Sequence, residues 1–237
     1  MATYHLKVKS HGRGHAEDRA KYINREGKYD DHEDDLVASG SGNLPEAANG
    51  NPYDMWKNAD KYERANGCAC REFELALPIE LALEQQKEIL HQFINEAIGD
   101  KPYQYAIHEP AGALSGESNP HAHVLFTDRI SDGIERPLSQ MFQRYNPHYP
   151  SRGGCPKDSG GKPPHVQREE LIAKRKLLAD IQNSLLEKYG HAARVDHRSY
   201  KDRGIEREPE HHLGPARIRN MSKEDKEQYV EARMMQR

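Results

Sequence analysis

The sequence predicts an α+β fold in which an antiparallel or mixed central sheet carries helices on one face and leaves an open, polar face on the other. Two observations predict this class. Several short segments alternate apolar and polar residues with a period of two, as strands do. In addition, two long amphipathic helices follow strands that each have one apolar face. The opposite face of those strands is then free to carry a site.

The first part of the chain combines a strand, two helices and a long loop. Residues 3–9 alternate as a strand does, and a turn leads from them into a short helix with the sequence EDRAKYI. The stretch 27–50 is acidic and rich in small residues, so it is predicted to be mostly loop. Asn51 and Pro52 suit a helix N-cap and first turn, and this helix is predicted to end at Gly67.

The middle of the chain supplies the clearest strand. In residues 71–77 the alternation places Glu72 and Glu74 on the face opposite a row of apolar side chains. A long helix is predicted from Pro78 to about Ile98. The later elements are predicted as strands at 103–108 and 121–129, loops over 133–165, a helix at 167–189, a short strand at 193–196 and a weak helix from Ser222.

Composition limits the classes of protein that remain. The chain has 237 residues, a formal net charge of -3 and 35% hydrophobic residues, which fits one compact domain with a tail. It lacks an apolar run of about 18 residues and a signal-peptide pattern, so we expect a soluble, cytoplasmic protein without membrane insertion. The odd count of 3 cysteines excludes a disulfide framework. Cys68 and Cys70 are read as reduced thiols, with a structural zinc site as the alternative.

Histidines give the strongest indication of chemistry. His121 and His123 lie two residues apart on a predicted strand, which puts both imidazoles on one face, about 7 Å apart at the backbone and close enough to share a metal ion. If the strand that ends at His108 is its neighbour, a site with three histidines results. The alternative is a surface histidine pair. Glu72 and Glu74 are expected on the same face, where they could orient the histidines, bind the metal, accept a proton or be solvated charges.

Five segments of the chain occur in a recognisable order. They are AKYINREGKY (20–29), MWKNADKYERANG (55–67), REFELALP (71–78), NPHAHVLFTDRISDGIERP (119–137) and HAARVDHRSYKDRGIEREPEHHLGP (191–215). Together they resemble the MobA/MobL plasmid mobilization relaxases of the MobQ type, which are members of the HUH endonuclease superfamily. The resemblance implies a relaxase domain over residues 1–215. The polar, basic residues 216–237 would then be a tail or the start of a further region.

The resemblance also implies a reaction and a set of functional residues. Such relaxases nick one DNA strand at a plasmid transfer origin, remain attached through a 5′-phosphotyrosine, and reseal the strand by the reverse reaction. Tyr22 takes the place of the nucleophile, and Tyr29 is the alternative tyrosine. The implied metal ligands are His108, His121 and His123, the implied ion is Mn²⁺ or Mg²⁺, and the acidic positions are Glu72 and Glu74. The loop over 109–119, which separates His108 from the strand with His121 and His123, is longer than is usual in the family.

The expected partners are single-stranded transfer-origin DNA, relaxosome accessory proteins and the coupling protein of a type IV secretion system. Between residues 136 and 176 the chain has nine Lys and Arg residues against three acidic ones, a local balance of +6. This segment includes an aromatic and basic cluster suited to stacking on bases. We expect DNA contacts from Arg25, Lys28, Arg129, Arg144, Tyr145, Lys162, Arg168, Arg198 and Lys201. The alternative for the basic segment is a solvated surface.

Two other functions are compatible with the same residues. One is a DNA-binding or accessory protein that has the HUH fold but does not cleave DNA. The other is a phosphodiesterase in which three histidines hold a metal ion and water is the nucleophile. The reaction product distinguishes them, because water leaves free DNA ends whereas tyrosine leaves protein on the DNA.

Overall fold

Five antiparallel strands form one sheet in the computed structural model, which describes residues 4–112, 114, 116–206 and 213–235. The strands are β1 (Leu6–Gly12), β2 (Leu36–Gly42), β3 (Cys68–Ala76), β4 (Tyr103–His108) and β5 (His121–Phe126). Their order across the sheet is β1-β3-β5-β4-β2, and every neighbouring pair is antiparallel. The predicted α+β class with an antiparallel sheet is confirmed.

Seven α-helices accompany the sheet in the described ranges. They are α1 (Ala16–Ile23), α2 (Pro52–Tyr62), α3 (Leu83–Ile98), α4 (Leu138–Met141), α5 (Pro164–Lys188), α6 (Gly214–Asn220) and α7 (Lys223–Met235). None of these helices has the length and apolar character that a membrane span requires. Most of α6 and all of α7 fall in residues 216–237, which were predicted as a tail. Ser222 caps α7 by accepting a hydrogen bond from Asp225 N at 3.0 Å. The domain boundary at residue 215 stays a prediction.

Helices cover both faces of the sheet, although only one face was expected to carry them. Helices α3 and α5 pack on the face that contains Phe73 and Leu75. Helices α1, α2 and α4 pack on the opposite face, around the fully buried Trp56. This second layer forms because that face is itself divided: one end is apolar at Cys70 and Leu125, whereas the other carries the histidines and carboxylates. The polar end of the face is therefore framed by helices rather than fully open.

Strand β2 lies within the stretch 27–50, so the prediction that this stretch is mostly loop was wrong for residues 36–42. A Cβ atom on Gly40 would lie 2.8 Å from Cε1 of Tyr105, and one on Gly42 would lie 2.5 Å from Oη of Tyr103. The glycines thus allow two tyrosine rings of β4 to cover the edge strand. Pairing with β4 forms this strand despite its weak intrinsic preference for extended structure.

Other elements also differ from the sequence prediction, among them helix α3, which begins at Leu83 rather than at Pro78. Residues 193–196 form no strand, because the Asn183 side chain satisfies both backbone groups of Val195, at 2.8 Å to N and 2.9 Å to O. Helix α2 ends at Tyr62 rather than at Gly67. Its start agrees with the prediction, since the Asn51 side chain caps it by accepting from Tyr53 N at 3.0 Å.

Candidate active site

Three histidines converge at the polar end of the second sheet face. His108 of β4 lies directly opposite His121 of β5, and His123 follows two residues later on the same face. Their ring centroids are 5.1 to 5.4 Å apart, and one nitrogen from each ring lies within 4.8 Å of the other two. The predicted adjacency of the two strands is therefore correct, and the three rings are close enough together to surround one metal ion.

Each imidazole is held by a hydrogen bond between one of its ring nitrogens and an oxygen acceptor. The bonds join His108 Nε2 to the Ile23 carbonyl at 2.7 Å, His121 Nδ1 to the Asn119 carbonyl at 2.9 Å, and His123 Nδ1 to Glu72 Oε1 at 2.7 Å. An oxygen acceptor on one nitrogen leaves the lone pair of the other nitrogen available to a metal. This arrangement fits a divalent ion bound by three neutral imidazoles.

Burial keeps two of these rings neutral at pH 7. It lowers the pKa of His108 to about 4, and it also lowers the pKa of His123, although Glu72 acts in the opposite direction. Neutral imidazole is the form that binds a metal, so burial prepares both rings as ligands.

Glu72 is the most enclosed acidic group of the site. Its side chain has no exposed surface, and it accepts hydrogen bonds from Arg19 at 2.8 and 2.5 Å, from His11 at 2.6 Å and from His123 at 2.7 Å. Burial alone would raise the pKa of Glu72, but these donors hold it well below its usual range. Of the roles that the sequence left open, the contacts of Glu72 favour orientation of His123.

Glu74 lies opposite His123 in the pairing of β3 with β5. Its side chain is 28% exposed and accepts a hydrogen bond from Lys9, and this pair holds the pKa of Glu74 down against the effect of burial. Oxygens of Glu72 and Glu74 also lie within 4.8 Å of each other and of a His123 nitrogen. A partly exposed carboxylate thus borders the histidine cluster.

Tyr22 lies on α1 beside this cluster. Two guanidinium groups contact its ring: Cζ of Arg19 is 4.3 Å from the ring centroid and Cζ of Arg25 is 4.9 Å from it. The edge of the Tyr29 ring packs against it at 5.1 Å, and the Tyr29 hydroxyl donates to Asp18 at 2.7 Å. A cleft of about 180 Å³ opens here, lined by His11, His15, Asp18, Arg19, Tyr22 and Tyr29.

A side chain of α2 caps the start of helix α1, and a left-handed turn follows its end. Asp60 of α2 accepts hydrogen bonds from the backbone N–H groups of Gly14, Ala16 and Glu17 at 2.8 to 2.9 Å, and so caps the start of α1. After the helix, Arg25 adopts a left-handed conformation with φ of 56°, which costs about 1 to 2 kcal/mol for a residue other than glycine. This turn brings the Arg25 side chain back over Tyr22.

Comparison with known proteins assigns the chain to a family. A sequence model of the MobA/MobL family matches residues 16–224. The chain belongs to the MobA/MobL family. It is 47% identical over 210 residues to the 43 kDa relaxation protein of Salmonella typhimurium, an alignment that covers 88% of this chain and 57% of that protein. It is 44% identical over 220 residues to Mobilization protein A of Escherichia coli, covering 91% and 30% respectively. The chain thus spans little more than half the length of the first relative and less of the second.

A solved structure described as "Molecular Basis of Vancomycin Resistance Transfer in Staphylococcus aureus" has the same fold. It superimposes with a TM-score of 0.61 at 22% identity, over 84% of this chain and 100% of that chain. At this identity the likeness shows the fold alone and carries no information on individual residues.

The expected DNA contacts of this MobA/MobL chain fall into two groups. Arg25 and Arg129 are 8% and 3% exposed, respectively. Arg25 pairs with Asp35, and Arg129 pairs with Glu63. Both are buried beside a carboxylate in this structure, and their contact with DNA stays a prediction.

The other expected contacts lie at or near the surface. Lys28, Lys162 and Arg198 form ion pairs with acidic neighbours. Arg144, Arg168 and Lys201 are exposed, and Tyr145 is half-buried. Exposed cations are the ones that a phosphate backbone can reach, so these three arginine and lysine side chains are the stronger candidates.

Several residues of the site were not found from the sequence. Arg19 and His11 donate hydrogen bonds to Glu72, and Asp35 accepts hydrogen bonds from Arg25. A signal existed for Arg19, which lies three residues before Tyr22 and therefore on the same helix face. His11 lies beyond the predicted strand 3–9, in a segment read as a turn, and Asp35 lies in an acidic run, so neither gave a signal.

Proposed function

We propose that this MobA/MobL family member is a plasmid relaxase that nicks one DNA strand at a transfer origin by transesterification through Tyr22. One observation carries the proposal: the two arginines whose guanidinium groups contact the Tyr22 ring also lie 3.4 Å from ring nitrogens of His123 and His108 in the histidine cluster. A tyrosine nucleophile and a metal-binding histidine set at one site are what a phosphotyrosine mechanism requires.

His108, His121 and His123 would hold the divalent ion. When bound, such an ion binds the scissile phosphate and offsets the negative charge that develops in the transition state. Imidazole nitrogen suits first-row transition ions better than Mg²⁺, which prefers oxygen ligands. Of the two ions expected from the sequence, Mn²⁺ is therefore the one we propose.

Each residue of the site then has a separate role in the reaction. The Tyr22 oxygen loses its proton and forms a bond to phosphorus, while the bond from phosphorus to the 3′-oxygen breaks and that oxygen leaves as a protonated hydroxyl. We assign the proton acceptor to Glu74, which is partly exposed, and the orientation of His123 to Glu72, which is fully enclosed. The new bond is again a phosphodiester, so the 3′-hydroxyl can reverse the reaction without ATP.

Single-stranded DNA would be held by exposed basic and aromatic groups. Residues 143–152 contain no acidic side chain, and Tyr149 in this loop is 59% exposed with the Arg152 guanidinium 5.0 Å from its ring centroid. Such a surface can stack on a base and bind a phosphate. As a cytoplasmic relaxase the protein would also meet relaxosome accessory proteins and the coupling protein of a type IV secretion system.

The test is adduct formation with single-stranded DNA from the transfer origin of the plasmid that encodes the chain. The oligonucleotide is labelled at its 3′ end, because the protein remains on the downstream fragment, and the products are separated on a denaturing protein gel with Mn²⁺ present. Labelled protein is expected for the wild type and is lost in His121→Ala and His123→Ala. His165→Ala, which changes an exposed histidine at the start of α5, serves as the matched control and retains the adduct.

Other outcomes would favour the alternative functions. Cleavage that leaves free ends and no labelled protein would indicate a metal phosphodiesterase that uses water. Tight binding without cleavage would indicate a DNA-binding accessory protein. Either result contradicts the proposed relaxase.

A further inference from the structure

Two guanidinium groups contact the ring of Tyr22, and both come from the same short segment as the ring. Arg19 lies one helical turn before Tyr22, and Arg25 follows the end of α1. Their Cζ atoms are 4.3 and 4.9 Å from the ring centroid. Both distances are within the range of a cation–π contact, so the ring is fixed by a positive charge from each of two side chains.

Arg19 is anchored on the carboxylate that orients His123. Its Nε and Nη2 donate to the two oxygens of Glu72 at 2.8 and 2.5 Å, and Nη2 lies 3.4 Å from Nδ1 of His123. Because Glu72 has no exposed surface, this bidentate pair is shielded from water. The side chain thus connects the Tyr22 ring to one histidine of the cluster through a single carboxylate.

Arg25 has a corresponding arrangement with a second carboxylate and a second histidine. Its Nε and Nη2 donate to Asp35, both at 2.8 Å, and its Nη1 donates to the Tyr22 carbonyl at 3.0 Å. Nη2 lies 3.4 Å from Nδ1 of His108. The left-handed backbone of Arg25 is what directs the side chain inward, and a strained conformation of this kind persists where the surrounding contacts fix it.

We propose that Arg19 and Arg25 are positioning residues that hold the Tyr22 ring beside the histidine cluster and stabilise negative charge on the tyrosine oxygen as its proton leaves. This inference rests on the proposed function of Tyr22 as the nucleophile. It assigns to Arg25 a role different from the phosphate contact that its basic character suggested. The planar fork of arginine is essential to the role, because a lysine can neither bind a carboxylate through two parallel bonds nor stack on the ring in the same way.

The kinetic test compares Arg19→Lys and Arg25→Lys with the wild type in single-turnover adduct formation with Mn²⁺ and the transfer-origin oligonucleotide. Each substitution is expected to lower the rate constant by about 10- to 100-fold at saturating protein. Affinity for the same DNA, measured in a Tyr22→Phe background so that no cleavage occurs, should change by no more than about twofold, with the same salt dependence. Arg13→Lys is the matched control and should alter neither quantity, since Arg13 is exposed and donates to a backbone carbonyl, that of Asp60 on α2, a bond that a lysine can also form.

A measurement that needs no activity tests the same contact. In a double-mutant cycle on urea unfolding of the metal-free protein, Arg19→Lys and Tyr22→Leu should be non-additive by about 2- to 5-fold in the unfolding equilibrium constant. The inference is overturned if the effects of the two changes on the free energy of unfolding are additive. It is also overturned if the arginine variants weaken DNA binding and flatten its salt dependence while their rate constant at saturating protein equals that of the wild type. Absence of an adduct in the wild type would refute the proposed function, whereas the unfolding cycle would still decide whether the arginines fix the ring.

Discussion

Two carboxylates separated by one residue on β3 have different environments and therefore different expected roles. Glu72 has no exposed surface and is surrounded by donors from α1, β1 and β5. Glu74 is 28% exposed and is bound to Lys9 at the edge of the cluster. A buried carboxylate whose oxygens all accept hydrogen bonds orients its neighbours, whereas a carboxylate that reaches solvent can exchange protons during a reaction.

Glutamine substitution separates these two roles. Glu72→Gln replaces an acceptor oxygen with an amide donor, so His123 loses its support and Mn²⁺ affinity in calorimetry should fall by about 10- to 100-fold. Glu74→Gln should leave Mn²⁺ affinity within about threefold of the wild type and slow single-turnover nicking by about 10²- to 10⁴-fold. Glu84→Gln, at an exposed position on α3, is the control. Loss of metal binding in Glu74→Gln would instead make Glu74 a metal ligand.

The buried His108 predicts a pH dependence for the metal-free protein. Burial lowers the pKa of His108 to about 4, whereas the unfolded chain takes up that proton near pH 6.5. Between these values the unfolded state binds more protons, so folding stability falls as the pH is lowered from about 6.5 to 4, by at most about 3 kcal/mol from this residue. His108→Gln retains a donor toward Ile23 and should make the slope shallower in urea unfolding with EDTA. Equal slopes in the two proteins would contradict this origin.

Among the structural elements, the loop formed by residues 142–155 is held by hydrogen bonds from two buried arginines. Arg136 donates to the Gly153 and Pro150 carbonyls, each at 2.9 Å, and Arg129 donates to the Phe142 carbonyl at 2.8 Å. These bonds satisfy carbonyls that regular secondary structure leaves unpaired. The loop thereby presents its exposed basic and aromatic side chains on a fixed backbone, which suits a DNA-binding surface.

Substitution at Gly154 tests whether this backbone is fixed. A Cβ atom there would lie 2.2 Å from the Gln143 carbonyl oxygen and 2.8 Å from that of Met141, and backbone atoms cannot move away as side chains do. Gly154→Ala should cost about 1 to 3 kcal/mol in urea unfolding and weaken binding of single-stranded DNA. At Gly12 an added Cβ meets nothing within 4 Å, so Gly12→Ala is the matched control. Unchanged stability in Gly154→Ala would show that the loop adapts freely.

Local patterns predicted most of the elements and the centre of the site, but contacts distant in sequence were not predictable. The His-x-His and Glu-x-Glu spacings identified one face of the sheet because a strand alternates every two residues. Strand β2 was missed because tyrosine rings from β4 cover its glycines, which no local pattern reveals. The pairing of Arg25 with Asp35 and of Arg129 with Glu63 was missed for the same reason: basic character is visible in a sequence, but a buried acidic partner is not.

For the whole molecule, the proposed DNA binding would depend on where the charges lie rather than on the net charge of -3. Lys162 is paired with both Asp158 and Glu170 at 2.7 Å, whereas Arg144 and Arg168 are exposed. An acidic partner within the protein reduces the number of counterions that a lysine releases when it binds a phosphate. The effective basic surface is therefore smaller than the sequence count suggests.

Salt titrations of DNA binding test this distribution. Arg144→Ala and Arg168→Ala should each reduce the slope of log affinity against log salt by about 0.7, the value expected for one phosphate contact with a single strand. Lys162→Ala should change the slope much less, because its charge is already balanced. If Lys162→Ala reduces the slope more than the two arginine variants do, the DNA contacts Lys162 rather than Arg144 and Arg168.

The central claim is that Tyr22 becomes covalently attached to DNA, and peptide mapping of the adduct tests it most directly. Trypsin cleaves after Lys21, Arg25 and Lys28, so Tyr22 falls in the four-residue peptide YINR and Tyr29 falls in a different peptide. The adduct is formed with Mn²⁺, trimmed with nuclease, digested with trypsin and analysed by mass spectrometry. We predict a nucleotide phosphate on the YINR peptide and no adduct in Tyr22→Phe. A nucleotide on the peptide that begins at Tyr29, or an adduct that persists in Tyr22→Phe, would contradict the account.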